Sequence, residues 1–332
     1  MRKKLPLAMA LLTTLTGFSS PSSADYYVRI PLPKFGNSIS AGTPSRFSLH
    51  ENGITVTCNG AAAGETGVVN GKTYTAYNDT TFPSLVATKN DLLLGAACTS
   101  GVTNMDYALF GYTTNPDISH WDTKDVTSMV GTFGNTTVFN RPIGKWNTGK
   151  VVMMAGTFSN SNAFNQPIGE WDTSSARSMQ SMFAAAREFN QPIGDWDTSG
   201  VVIMQGMFNY ALSFNQPIDR WNTANVQTMN GMFLDSREFN QPISQWNVES
   251  VTDMTGMFSN AAKFNQPLAG WNTANLRHMN YMFARTTNFN QNLSCWNVTQ
   301  IATKPTSFDA LSALAPNTAF HPRWNAAPNT GC

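Results

Sequence analysis

Four residue types recur in this sequence at intervals of 25 positions, and each could in principle do chemistry. Tryptophans in a row could form a platform for sugar rings, and asparagines could serve a metal site or a reaction. Alternating aspartates and asparagines could bind calcium, and methionines could bind copper. The tryptophan column comprises Trp121, Trp146, Trp171, Trp196, Trp221, Trp246, Trp271 and Trp296. A fixed period of about 20–50 residues is typical of repeat proteins, in which neighbouring units bury a common core.

The residues around each tryptophan favour a core position over a sugar platform. Ile193 stands three positions before Trp196 and Thr198 stands two positions after it, so the three share one face of an extended segment. The threonine position is Val248 and Val298 in two other units, and a site that accepts either residue is typically a buried β-branched position. We therefore expect the tryptophans to be buried.

The other three columns also favour structural roles. The asparagines are expected to form an internal ladder for the loop backbone, because buried N–H and C=O groups need partners. They are Asn140, Asn165, Asn190, Asn215, Asn240, Asn265 and Asn290. The position after tryptophan exchanges Asp and Asn freely, which favours hydrogen bonding over calcium, since calcium sites need fixed carboxylates. Its members include Asp122, Asn147, Asp172, Asp197 and Asn222. The methionines from Met129 to Met279 are expected in the core, and neither a cofactor nor a metal site is predicted.

Two periodicities predict the secondary structure of each unit. Ile193 to Thr198 has the pattern of a short strand, whereas Val201, Met204, Met207 and Ala211 follow at the three- and four-residue steps of a helix. Gly200 or its Asp, Ser and Asn equivalents would cap that helix. The predicted fold class is an α/β repeat solenoid, leucine-rich-repeat-like, with one short strand and one short helix per unit and a cap at each end.

The predicted domain organisation follows from these patterns. It comprises a signal peptide (1–24), an irregular lead-in (25–52), an N-terminal cap (53–93), solenoid repeats (94–308) and a C-terminal cap (309–332). The repeats divide into a degenerate first turn (94–120), seven units (121–295) and a partial last turn (296–308). Within the cap, Asn70-Gly71 predicts a hairpin and Phe82 to Lys89 a short helix. Val102, Met105 and Phe110 continue the core pattern in the first turn with one residue slipped.

The first residues predict export. A basic start at Arg2, Lys3 and Lys4 precedes a short apolar stretch, and Ser22-Ser23-Ala24 offers the small residues that a signal peptidase recognises. We expect the chain to be secreted or held at the cell surface, with the periplasm as a further option, and not to insert into a membrane after cleavage.

Export permits disulfides among the four cysteines, which could pair in three ways. If the turns stack at about 4.8 Å each, Cys98 and Cys295 lie about 35 Å apart. A disulfide requires Cα atoms within about 7 Å. Cys58–Cys98 and Cys295–Cys332 are therefore the predicted pairs, one at each end of the repeats.

Charge and motif content argue against several function classes. The net charge is +1 and charged residues are only 12% of the chain, which leaves no basic surface for nucleic acid or anionic lipid. The histidines are scattered at His50, His120, His278 and His321. The sequence contains no H-E-x-x-H, nucleophile-elbow or phosphate-loop motif. We expect that the protein is not an enzyme.

The repeated motif FNQPIGxWDTSxVxxMxxMFxxA resembles the repeat of the BspA-like bacterial surface proteins over about residues 94–308. Members of that family carry leucine-rich-like repeats of about 25–26 residues, known also from mycoplasma and listeria lipoproteins. The resemblance implies an exported bacterial protein with a leucine-rich-repeat-like solenoid, and a role in adhesion or in binding a host or matrix component.

These observations together predict a binding or adhesion module for an unidentified protein or glycan. The candidate partner-facing residues are variable positions directly before each tryptophan, namely Lys145, Glu170, Asp195, Arg220 and Gln245. The alternative is a structural spacer of the cell envelope without a dedicated ligand.

Overall fold

The computed structural model describes residues 45–326 and residue 328, and its N-terminal part is built from short strands. Strands β1 (Phe47–Leu49) and β2 (Val56–Cys58) pair antiparallel, as do β3 (Thr66–Val69) and β4 (Lys72–Asn78). The turn between β3 and β4 is Asn70-Gly71, and both residues have positive φ, as the predicted hairpin requires. The predicted signal peptide and residues 25–44 of the lead-in lie outside the described residues. Because β1 precedes residue 53, the ordered cap begins earlier than predicted.

Two short helices and a parallel strand connect the hairpin to the repeats. Helix α1 (Phe82–Ala87) has Pro83 in its first turn, and helix α2 (Asp91–Leu94) is capped by the side chain of Asn90. Strand β5 (Ala97–Gly101) pairs parallel with β4. The predicted disulfide Cys58–Cys98 is present and joins β2 to β5 with a Cα–Cα distance of 6.2 Å. The second predicted pair includes Cys332, which lies outside the described residues.

From Asn104 onward the chain is a stack of units joined by parallel β-bridges. Each bridge connects residues 24 or 25 positions apart and involves Asn104, Ser128, Met153, Ser178, Ile203, Thr228, Asp253 and His278 in succession. The bridge column stands directly before the methionine column, and not at the tryptophan segment where the strand is predicted. Within the described units 121–295, Ile193 to Thr198 and its equivalents are turns and irregular backbone. The predicted strand is therefore misplaced.

The segment predicted as a helix is a series of tight turns. Alternate N–H groups donate to carbonyls of the next unit, at 3.2, 2.8, 2.9 and 2.7 Å for Met204, Gly206, Phe208 and Tyr210. The N–H groups between them donate three residues back, at 3.2, 3.0 and 2.9 Å for Met207, Asn209 and Ala211. Gly206 and Tyr210 have φ of 61° and 57°, which no α-helix contains. The predicted helix is wrong because only every second N–H group bonds within the segment, while the others bond to the neighbouring unit.

Aromatic rings fill the interior of the stack. Trp196 is 3% exposed and lies parallel to Trp171 and Trp221, with ring centroids 6.5 Å apart on both sides. Two phenylalanine columns stack in the same way, for example Phe183 on Phe208 at 5.6 Å and Phe189 on Phe214 at 6.1 Å. One hydrophobic cluster thus runs from Phe82 to Leu314. No unit could bury its own rings alone.

The tail folds back over the last turn. A 3-10 helix covers Thr318–Phe320, and the carbonyl of Phe320 accepts a hydrogen bond from the N–H of Leu293 at 2.8 Å. The ring of Trp324 packs edge-on against Phe308 at 5.2 Å. Among the described residues, no helix has the length and apolar character needed to cross a bilayer.

Replacing Trp196 by alanine should lower the free energy of unfolding by about 3–5 kcal/mol, because it leaves a cavity between two stacked rings. Urea denaturation measures the loss. Gln245→Ala, at an exposed position directly before a tryptophan, is the control and should change stability by less than about 0.5 kcal/mol. Equal stability of the two variants would exclude the buried ring column as the main source of cohesion.

Candidate functional site

The tryptophan column has no free face for a ligand. Each indole N–H from Trp121 to Trp296 donates to a carbonyl of the preceding unit, for example Trp196 Nε1 to the carbonyl of Ile168 at 3.1 Å. All eight rings are at most 3% exposed. The column therefore belongs to the core and offers no sugar platform.

The asparagine column forms a ladder. Asn190 Oδ1 accepts hydrogen bonds from the backbone N–H of Asn215 and from Gln216 Nε2, each at 3.0 Å. The same backbone bond repeats from Asn115 to Asn290 at 2.9–3.1 Å. Each asparagine thus satisfies the loop of the following unit, and its side-chain oxygen is already engaged.

The Asp and Asn residues after each tryptophan make local turns. Asp197 Oδ1 accepts from the N–H of Ser199 at 2.9 Å, and Asn222 Oδ1 accepts from the N–H of Ala224 at 3.1 Å. The hydrogen bonds from Ser199 hold the pKa of Asp197 below its usual value. Both residue types serve this turn equally well, which explains their exchange. No group of three His, Cys, Asp or Glu side chains within the described ranges is arranged to hold a metal ion.

The methionine column and the histidines have separate environments. The methionines of this column are at most 1% exposed and belong to the core: Met129, Met154, Met179, Met204, Met229, Met254 and Met279.

The histidines do not lie together. His120 is buried and its Nε2 lies 3.0 Å from the carbonyl of Ala97, whereas His321 Nε2 lies 2.8 Å from Asp309 Oδ2. His50 and His278 are exposed. Burial lowers the pKa of His120 to about 4, against the opposing effect of its bond to Ala97.

The candidate partner-facing residues lie in one exposed row, which we call the charged ridge (Lys145, Glu170, Asp195, Arg220 and Gln245). Lys145 pairs with Glu170 at 2.6 Å, and Arg220 pairs with Asp195 at 2.9 Å. These four side chains are 54–82% exposed. Exposed pairs of this kind contribute at most about 1 kcal/mol. The ridge is accessible, but its charges neutralise each other along the stack.

Sequence reasoning missed a cleft of about 630 Å³ beside the first turn, which we call the aromatic cleft. Its lining includes Asp79, Lys89, Asn104, Asp106, Tyr107 and Phe110. The sequence pattern predicts Phe110 in the core, but Phe110 is 40% exposed and Leu109 takes the core position with no exposure. Tyr107 is 49% exposed. The one-residue slip of the first turn was the sequence feature that could have revealed both residues. It places Tyr107 in a column where five of the eight residues are glycine.

The polar groups of the aromatic cleft are partly engaged. Asp79 accepts hydrogen bonds from Thr103 and from the N–H of Asn104; although burial opposes them, these bonds lower its pKa. Asp106 Oδ1 accepts from Ser128 Oγ and from the N–H of Val130, while its Oδ2 has only a long contact, 3.4 Å, with Asn104 Nδ2. Acceptor positions on both carboxylates therefore remain open.

A chain whose units stack through shared rings and shared backbone bonds is a repeat protein. The family described as Mycoplasma protein of unknown function, DUF285, matches residues 103–221 and again residues 212–320. The two matches together cover more than half of the chain, which therefore belongs to this family. Neither a curated protein nor a solved structure matches the chain.

Replacing Asn190 by alanine should cost about 1–3 kcal/mol, because the N–H of Asn215 loses its acceptor and the amide of Gln216 keeps only the backbone carbonyl of residue 190. Asn190→Asp retains an oxygen acceptor and is the matched control, with a smaller loss expected. Chemical denaturation compares the two. A loss of equal size in both variants would count against the ladder.

Stability should fall as the pH drops from about 6.5 to about 4, because the unfolded His120 binds a proton in this range and the folded one does not. Above this window both states are neutral, and below it both are protonated. The loss assigned to His120 is on the order of 3 kcal/mol. His120→Gln keeps a donor for the carbonyl of Ala97 and should lose correspondingly less stability over this range. Parallel pH profiles of the two proteins would refute the assignment.

Proposed function

We propose that this protein is an exported, non-enzymatic binding module that presents the surface of its stacked units to a protein or glycan partner. The stack corresponds in this proposal to a leucine-rich-repeat-like solenoid with a cap at each end. The family description and the motif together support a bacterial surface protein, and we assign the chain to the BspA-like kind, with adhesion as its role. We place it outside the cell, either secreted or surface-held.

The distribution of side chains supports a binding role. Three uniform columns hold the units together: the tryptophans donate to carbonyls, the asparagines accept from backbone N–H groups, and the methionines pack. The residues that vary from unit to unit, such as those of the charged ridge, point to solvent. A surface that varies over a constant core can adapt to a partner without a change in fold.

The charged ridge favours a second candidate function. Its ion pairs join residues 25 apart, so they connect neighbouring units and leave little net charge for a partner. A spacer of the cell envelope would need only such self-paired charges. The two functions differ in whether the surface has a dedicated ligand.

The binding proposal is tested with the purified, immobilised chain against matrix proteins and neutral glycans. We expect saturable binding to at least one of them that changes little between about 50 and 500 mM NaCl, because the protein carries few charges. A surface that binds none of the panel would support the spacer and contradict the binding module. Reproducible turnover of a ligand, lost on one polar substitution, would contradict the non-enzymatic role.

Paired variants locate the contact. Exchanging the charges in Lys145→Glu/Glu170→Lys keeps the ion pair and should leave stability unchanged. A partner that contacts the ridge loses affinity for this double variant, whereas a partner that binds elsewhere does not.

A further inference from the structure

Tyr107 and Phe110 form an exposed aromatic pair at the first turn. Their rings are edge-on to each other, with centroids 5.7 Å apart, and they are 49% and 40% exposed. The rings of the tryptophan and phenylalanine columns, by contrast, are at most 3% exposed. This pair contributes little to the interior, so its position outside the core needs another reason.

The next unit provides space for the two rings. A Cβ on Gly131 would lie 2.8 Å from the Tyr107 ring, and a Cβ on Gly134 would lie 2.7 Å from the Phe110 ring. Gly134 does not have a positive φ, and its column accepts larger residues in every following unit from Ser159 to Ala284. Close approach of Phe110 is therefore what requires glycine there.

Tyr107 occupies a backbone position that disfavours it. Its φ is +56°, in the left-handed region that a bulky side chain rarely adopts. Glycine fills the equivalent position at Gly131, Gly156, Gly206, Gly231 and Gly256. Tyr281 shares this column at φ +59° but is less exposed, so Tyr107 is set apart by the exposure of its ring beside the cleft, and we take that exposure as the sign of a binding role.

We propose that the aromatic cleft binds a neutral saccharide. The apolar C–H face of a sugar ring packs against an aromatic face, and its hydroxyls can donate to carboxylates. Asp79 and Asp106 supply acceptors, and Lys89 and Asn104 supply donors in the same cleft. Because charges of both signs line the cleft, it does not select an ion, which favours an uncharged, hydroxyl-rich ligand over an anionic glycan or a basic peptide. The volume of about 630 Å³ is within the usual range of small-ligand sites.

This assignment rests on the proposed binding function and is tested with neutral hexasaccharides of glucose, mannose, galactose and N-acetylglucosamine. Titration calorimetry on the full chain should detect saturable binding of at least one of them, insensitive to NaCl. Tyr107→Gly should weaken that binding by at least about tenfold. The same variant should melt no lower than the wild type, since glycine relieves the left-handed strain.

Two further variants separate binding from folding. Phe110→Ser introduces the residue that Ser159 and Ser259 provide at the equivalent position, and it should also weaken binding. Tyr281 has φ +59° in the same column but does not line the cleft, so Tyr281→Gly is the matched control and should bind as the wild type does. Equal affinity of Tyr107→Gly and the wild type would overturn the assignment.

The remaining outcomes distinguish the two proposals. Capture of a matrix protein without binding of any hexasaccharide refutes the saccharide site and leaves the binding module in place. Binding of hexa-arginine that is lost as NaCl rises also refutes it, in favour of a basic peptide. Absence of any binding contradicts both proposals.

Discussion

The stack depends on one constraint: every unit must present its backbone to the next in the same register. Alternate N–H groups of the turn segment donate across the unit boundary and the others donate within it. One residue inserted within the turn segment would exchange the two sets and leave buried polar groups unpaired. A one-residue difference elsewhere in a unit is tolerated, since the N–H of Tyr107 donates to Val130, 23 residues on, and that of Tyr281 to Thr306, 25 residues on, against 24 from Gly206 to Asn230. The side-chain bonds share this dependence, since Trp196 reaches back 28 residues and Asn190 reaches forward 25. The constant spacing of the tryptophans from Trp121 to Trp296 is consistent with these bonds.

The same constraint determines which positions are alike in every unit and which positions vary. Residues that bond or stack across a boundary must be alike in consecutive units, so Trp, Asn, Thr and Met form uniform columns. Thr198 shows this in detail, because its hydroxyl donates to the carbonyl of Asn222 at 2.9 Å, while Val248 fills the same space without that bond. Only outward positions are free to vary. Low overall charge follows, since the stack is held by rings and neutral hydrogen bonds rather than by ion pairs.

The sequence predicts those features that recur with the period. Burial of the tryptophans, the asparagine ladder and the Cys58–Cys98 pair could each be predicted from spacing and residue type. The backbone conformation of each unit could not be predicted in this way, because successive turns place every third or fourth residue inward just as a helix does. The glycine column at Gly206 was the available evidence against a helix. The aromatic cleft escaped prediction because it lies where the period fails by one residue.

Two parts of the chain, on either side of the point where the family match begins, form the walls of the aromatic cleft. Asp106, Tyr107 and Phe110 belong to the part of the chain that matches the family, which begins at residue 103. Asp79 and Lys89 belong to the cap that precedes it. The stack supplies the ring surface, since only its first turn has no preceding unit to cover Tyr107 and Phe110. The cap supplies Asp79 and Lys89, which together with Asp106 of the stack would contact a ligand. A change of cap could therefore alter specificity while the bonds that hold the units together stay intact.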